Sequence, residues 1–117
     1  MPKMIKEKKT VFYQDDSGKE PCLEWISHLR DAKTRRRILQ RLARIQSGNY
    51  GDCKSLKKSI FELRLSFGSG YRIYFGEDGD TIVVLLCGGD KSTQERDIEN
   101  ASAYWKEYLR HASIQNT

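Results

Sequence analysis

The sequence predicts an α+β fold: a small antiparallel sheet of about four strands, an N-terminal helical hairpin and a C-terminal helix, in the order βααβββα. Three observations carry that expectation. Residues 61–75 alternate apolar and polar side chains about a Gly-Ser-Gly turn, residues 81–87 form a nearly continuous apolar run, and apolar residues recur at helical spacing on both flanks.

Residues 9–13 predict a short strand, closed by the turn formers Asp15, Asp16, Ser17 and Gly18. A helix starts at Pro21, whose fixed backbone angle suits a first turn, and turns Cys22, Trp25, Ile26 and Leu29 toward a core. A second helix over about residues 33–47 carries Ile38, Leu42 and Ile45 on one stripe, and Gly48, Asn49 and Gly51 end it. From Ser59 the period becomes two: Phe61, Leu63, Leu65 and Phe67 alternate with Glu62, Arg64 and Ser66, the pattern of a strand with one buried face. Gly68, Ser69 and Gly70 supply a hairpin turn into residues 71–75, so that Arg64, Arg72 and Tyr74 share the face away from the core. A second turn over residues 77–80 leads to residues 81–87, a central strand covered on both faces. Ser92 and Glu95 form a capping box for a last helix with Ile98, Ala101, Trp105 and Leu109 inward, and the chain frays from His111 onward, about its last seven residues.

The 117 residues, 38% apolar and 32% charged, fit one globular domain over 1–117 with a single modest core. No apolar run approaches the ~20 residues of a membrane span, and the lysine-rich start lacks the apolar centre of a signal peptide, so a cytoplasmic address without membrane contact is expected. Cys22, Cys53 and Cys87 are odd in number and too widely spaced for a CxxC motif, which predicts reduced thiols. The net charge of +5 conceals an asymmetry: residues 33–64 hold ten Lys and Arg against Asp52 and Glu62. That cationic middle, with Arg35, Arg36, Arg37, Arg41, Arg44, Lys54, Lys57 and Lys58, suits a phosphate-bearing partner; a merely solvated helix face accounts for it equally well.

Several chemistries are excluded. No His and carboxylate set has metal-ligand spacing, and neither a Gly-rich phosphate loop nor a GxSxG elbow occurs. Neither metal nor cofactor is expected. His28 and His111 fall in a helix and the tail, away from any acid–base partner. What remains is Arg64, Arg72, Tyr71, Tyr74, Asp90 and Lys91, gathered by the hairpin and the end of the central strand. In RNA the ribose 2′-hydroxyl itself attacks the adjacent phosphorus, so such a set need supply only orientation, cationic stabilisation and modest proton transfer. Arg64 and Arg72 suit charge stabilisation, Lys91 a tunable proton, and Tyr71 or Tyr74 a hydrogen bond or a stacked base. The plainer alternatives are a core Tyr71, an Arg64 paired with Glu62, and a solvated loop at Asp90 and Lys91.

The run FELRLSFGSGYRIYF followed by TIVVLLCGGDKSTQERDIENA, about 41 residues from Phe61 to Ala101, resembles the RelE/ParE toxin superfamily. The pieces ELR, GxGYRxYF and LLxGGDKxxQxxDI in succession are most similar to its HigB-like, phage Gp49-like or "addiction module killer" branch. The resemblance implies a small toxin that cleaves mRNA without metal, commonly in the ribosomal A site, and is neutralised by a cognate antitoxin, often a helix-turn-helix (HigA-like) protein. It puts the arginine of the GYR motif on Arg72, the often basic strand position before it on Arg64 and, more loosely, the basic residue after the last strand on Lys91. Members with an acid and a histidine there use imidazole chemistry; this chain has Asp90 and Lys91 with no nearby histidine. A second class shares the fold, the ParE-like toxins that bind and poison DNA gyrase without catalysis. The retained cations favour the ribonuclease.

Overall fold

The computed structural model describes residues 7–115. The two alternating segments form the antiparallel strands β3 (Ile60–Arg64) and β4 (Arg72–Asp78), and the apolar run forms β5 (Ile82–Gly89). β1 (Lys9–Phe12) and a three-residue β2 (Cys53–Ser55) complete a sheet of order β1-β5-β4-β3-β2. The helices are α1 (Pro21–His28), α2 (Ala32–Gln46) and α3 (Gln94–Gln115).

The α+β class and helix order agree with expectation, while the sheet differs. It has five strands rather than about four, and it is mixed, because β1 lies parallel to β5 with Lys9 opposite Ile82. β2 escaped notice because three residues are too few to show an alternation, and its burial is slight.

The expected single core is two cores, one on each face of the sheet. Cys22 and Ile26 of α1 and Ile38, Leu42 and Ile45 of α2 pack on Leu63, Ile73, Phe75, Val83 and Leu85. On the opposite face, Ala101 and Trp105 of α3 cover Ile60, Tyr74, Val84 and Leu86. The face read as solvent-directed in β3 and β4 is thus largely roofed by α3. The expectation for β5 holds: it sits between β1 and β4, and Val83 through Cys87 are buried.

The α3 end of the chain departs from the expected cap. Asp90, not Ser92, is the capping residue: its carboxylate accepts from the Ser92 N–H (2.8 Å), while its own N–H donates to the Thr93 hydroxyl, opening a 3-10 turn that runs into α3. The helical turn already begins at Lys91, so the cap falls on Asp90, a residue type favoured there. The helix continues past His111 to Gln115, and Leu109 is exposed rather than inward. Trp105 and Tyr108 hold the helix down instead, donating to the Lys58 carbonyl (2.8 Å) and Asp78 Oδ2 (2.7 Å).

Trp105 also explains Gly76. A Cβ placed there would lie 2.5 Å from the indole ring. Gly76→Ala is therefore expected to destabilise the fold by ~1–3 kcal/mol through overpacking, measurable as a lower urea midpoint at unchanged slope. Among the described residues no helix is long and apolar enough to cross a membrane.

Candidate functional site

The β3/β4 register sets Arg64 directly opposite Arg72 and Glu62 opposite Tyr74, all on the α3 face. Two like charges facing across a ladder repel, so the arrangement needs a counter-charge. Glu62 supplies it from almost complete burial, at 1% exposure. Its Oε1 accepts from Arg64 Nε at 3.2 Å. Its Oε2 accepts from the Tyr74 hydroxyl at 3.1 Å and from Nε2 of Gln94, the first residue of α3, at 2.8 Å, with Arg72 Nε 3.6 Å away. Burial pushes the Glu62 carboxyl up, but the bonds from Gln94, Arg64 and Tyr74 and the charge on Arg72 outweigh it and hold the group below its ordinary value. It is an ionised anchor whose oxygens are already engaged.

The two arginines differ. Arg72 has 15% of its side chain exposed and donates through Nη1 to the Gly70 carbonyl at 2.8 Å, while its buried Nε has no hydrogen-bond partner. Arg64 keeps 43% of its side chain in solvent. Lys91, exposed, lies over the Gly-Ser-Gly turn: its N–H reaches the Ser69 carbonyl at 3.4 Å, and a Cβ on Gly70 would sit 3.2 Å from its own Cβ. Arg64, Arg72 and Lys91 therefore meet at one end of the sheet. Tyr74 is placed differently. It is fully buried, with its hydroxyl turned to Glu62, and burial followed by the Glu62 charge raises its pKa, so it supports the carboxylate rather than facing solvent. Tyr71 packs edge-on against Trp25 and Phe67. Asp90 is held below its ordinary value by the Ser92 hydroxyl and then by backbone N–H groups and Arg72, as a cap should be.

The basic middle splits into two surfaces. Arg37, Arg41, Arg44 and Arg64 line a groove of about 400 Å³ between α2 and the β3–β4 segment, with Asp52 as its acidic residue. Arg37 lies over the Phe67 ring, 4.0 Å from its centroid. Arg41 donates through Nη2 to the Tyr50 carbonyl at 3.1 Å, but its Nη1 is buried without a partner. Burial and then Arg44 lower the Arg41 pKa. Arg35 is spent within the fold, donating to the Leu29 carbonyl, and Arg36 is exposed. Lys54, Lys57 and Lys58 lie instead along β2 and the turn after it, where they line a separate groove.

One other cluster brings together distant titratable groups. His111 Nε2 lies 3.2 Å from Asp16 and 2.9 Å from Glu107, and ligand atoms of the three fall within 4.8 Å of one another. All three are at least partly exposed, and the imidazole is already engaged by both carboxylates. Seventeen residues separate Gln94 from His111, roughly 25 Å along the helix, so this imidazole does not serve the arginine pair.

Sequence reasoning missed Glu62 as the organiser of the site, along with Gln94 and Asp97. The signal available was an acid two residues before Arg64 on the same strand face. Asp97 is 6% exposed, and a Cβ on Gly89 would fall 1.8 Å from its Oδ2, while a Cβ on Gly88 would fall 2.3 Å from the Trp25 ring. The two glycines of the GGD stretch thus admit α3 to one face and α1 to the other.

Residues 24–106 match the family model described as "Phage derived protein Gp49-like". An uncharacterized protein of Haemophilus influenzae (strain ATCC 51907 / DSM 11121 / KW20 / Rd) is 48% identical over 77 residues, 66% of this chain and 78% of that protein. The matched segment contains both arginines, the carboxylate between them, Lys91 and all of α2, and the chain belongs to the phage-derived Gp49-like family.

Proposed function

We propose that the protein is the toxin of a type II toxin–antitoxin pair, of the RelE/ParE kind, and an endoribonuclease that cleaves mRNA on the ribosome without metal. The observation that carries this reading is the Arg64–Arg72 pair, set in register by the hairpin and held by one buried carboxylate beside Lys91. A fixed cluster of donors acts on a phosphorane without reorganising as charge develops. The ribose 2′-oxygen forms its bond to phosphorus, the P–O5′ bond breaks, and a 2′,3′-cyclic phosphate and a 5′-hydroxyl result. The 2′-hydroxyl proton leaves to water, and the departing 5′-oxygen takes a proton from Lys91 or water. Arg64 and Arg72 hold the non-bridging oxygens. Tyr74 and Glu62 position the arginines and do not touch RNA.

Growth arrest on induction, with mRNA 5′ ends mapped beside gyrase-linked DNA breaks, tests the reading. New in-frame ends carrying 5′-hydroxyl groups, absent with Arg64→Ala, are expected; DNA breaks with intact mRNA would replace the ribonuclease by a gyrase poison, and neither signal would end both readings.

The α2 groove docks the toxin on ribosomal RNA, since Arg37, Arg41 and Arg44 there present one cationic wall. Reversing Arg37, Arg41 and Arg44 to Glu is expected to weaken ribosome binding at least tenfold and to flatten its dependence on salt in sedimentation assays. Unchanged binding would sink the docking role. A helix-turn-helix antitoxin is the expected neutralising partner.

A further inference from the structure

The far end of α3 meets the turn after β1 through three side chains that take no part in the arginine site. Glu107 and His111 stand one turn apart on the same face of α3, an i, i+4 pair. Asp16 reaches them from the turn that follows β1. Asp15 builds that turn: its Oδ1 accepts from the Ser17 N–H (2.9 Å), the Ser17 hydroxyl (2.7 Å) and the Lys19 N–H (2.9 Å), which fixes where Asp16 stands. His111 Nε2 lies 3.2 Å from Asp16 Oδ1 and 2.9 Å from Glu107 Oε1, and ligand atoms of all three fall within 4.8 Å of one another. A ring nitrogen carries at most one proton, so it cannot serve two carboxylate oxygens fully, whereas a cation placed among the three can. A tetrahedral zinc ion with bonds of ~2.0–2.2 Å sets its ligand atoms about 3.4 Å apart, close to the two separations already present. Tyr13, 5% exposed, stacks on Tyr104 of the same helix with ring centroids 5.0 Å apart, an aromatic wall at the edge of the cluster. Burial and then the charges of Glu107, Asp15 and Asp16 raise the Tyr13 pKa, as befits a hydroxyl lying near those carboxylates.

From this convergence we infer that Asp16, Glu107 and His111 form a binding site for a divalent transition metal of the zinc class, with water as the fourth ligand. The donor set selects the ion: imidazole favours zinc and its neighbours, whereas Mg²⁺ and Ca²⁺ prefer oxygen ligands alone. All three side chains are at least partly exposed, so the ion enters from solvent without opening the fold. Arg110 is the competitor. It holds Glu107 Oε1 through Nη2 at 2.6 Å and Oε2 through Nε at 3.4 Å, and it keeps Oε2 when Oε1 turns to the metal. The ion's work is mechanical. It ties the end of α3 to a turn 95 residues earlier in the chain, and so steadies from its far end the helix that covers Tyr74. That same separation hides the set from any reading of sequence spacing. The site lies roughly 25 Å along α3 from the arginine pair, takes no part in mRNA cleavage and stands or falls independently of it.

The test titrates the full chain, stripped with EDTA and dialysed, with zinc chloride in a calorimeter. One ion per chain is expected, with affinity falling at least tenfold in His111→Ala and again in Asp16→Asn. His28→Ala and Cys53→Ser, which remove the other imidazole and the one cysteine that is not buried, should leave binding unchanged. Saturating zinc should raise the thermal midpoint of the wild type by a few degrees, since it binds the folded chain alone. It should also slow hydrogen exchange at the amides of the last two turns of α3, and do neither in His111→Ala. Circular dichroism without metal verifies that each variant is folded. Absence of saturable binding, binding that survives both ligand variants, or binding lost with Cys53→Ser would overturn the proposal.

Discussion

Replacing Arg72 by alanine is expected to abolish growth arrest and to slow mRNA cleavage by ~10²- to 10³-fold, the usual cost of deleting one preorganised donor to a developing oxyanion. The expectation follows from its placement. Arg72 is the most enclosed of the three cations, with its Nη1 tied to the Gly70 carbonyl and its Nε facing Glu62 without a full hydrogen bond. Its geometry is thus imposed by the fold before RNA arrives. Arg72→Lys should recover little, because one ammonium cannot both reach the Gly70 carbonyl and present a planar fork to phosphate. Single-turnover cleavage on programmed ribosomes, reading 2′,3′-cyclic phosphate ends, measures the loss. Wild-type rates in Arg72→Ala would remove this residue from the chemistry.

The second large effect belongs to Glu62. Glu62→Gln is expected to cost ~3 kcal/mol of stability, at the low end for breaking a buried ion pair because Arg64 keeps much of its side chain in water. It leaves Arg64 and Arg72 facing one another without a counter-charge. The effect carries a pH signature. The carboxyl is held below its ordinary 4.5 in the fold, so the unfolded chain takes up the proton first. The carboxylate's contribution is whole above about pH 4.5 and fades as pH falls through the folded value. Wild type and variant should accordingly differ most near neutrality and converge in acid, as read from urea midpoints at each pH. A gap that persists in acid, once the carboxyl is protonated in both the folded and the unfolded chain, would show that shape, not charge, makes Glu62 necessary. Cleavage should fall as well, even in variant protein that is fully folded at the assay temperature, since the arginines lose their anchor.

Much of this architecture is legible in local patterns. The stripe Ile38, Leu42 and Ile45 predicts α2 and its buried face, and all three are buried against the sheet. The period of two in residues 61–75 predicts the hairpin, and Arg64 indeed pairs with Arg72. These features depend on neighbours within a few turns or one tight loop. β2 and the parallel pairing of β1 with β5 were not legible, because a three-residue strand has no period and a contact between Lys9 and Ile82 leaves no local trace. The C-terminal stripe was legible to Trp105 and failed at Leu109, which is exposed while Tyr108 beside it holds the helix to Asp78 of β4.

What the sequence by itself determined is the α+β class with its helix order, the covered strand β5, the hairpin that aligns two arginines and the cationic surface of α2. Each follows from side-chain periodicity and turn chemistry, which act at short range. Only the tertiary structure decided that α3 roofs the second face of the sheet. That packing turns Tyr74 from a presumed solvent-facing donor into a buried brace and Glu62 from a strand-surface acid into the anchor of the site. It also separates the lysines of β2 from the arginines of α2, since they lie on opposite sides of one sheet. The physical reason is common to all three: whether a polar residue meets water, a partner or a roof depends on elements far away in the chain, and alternation reports only which residues share a face.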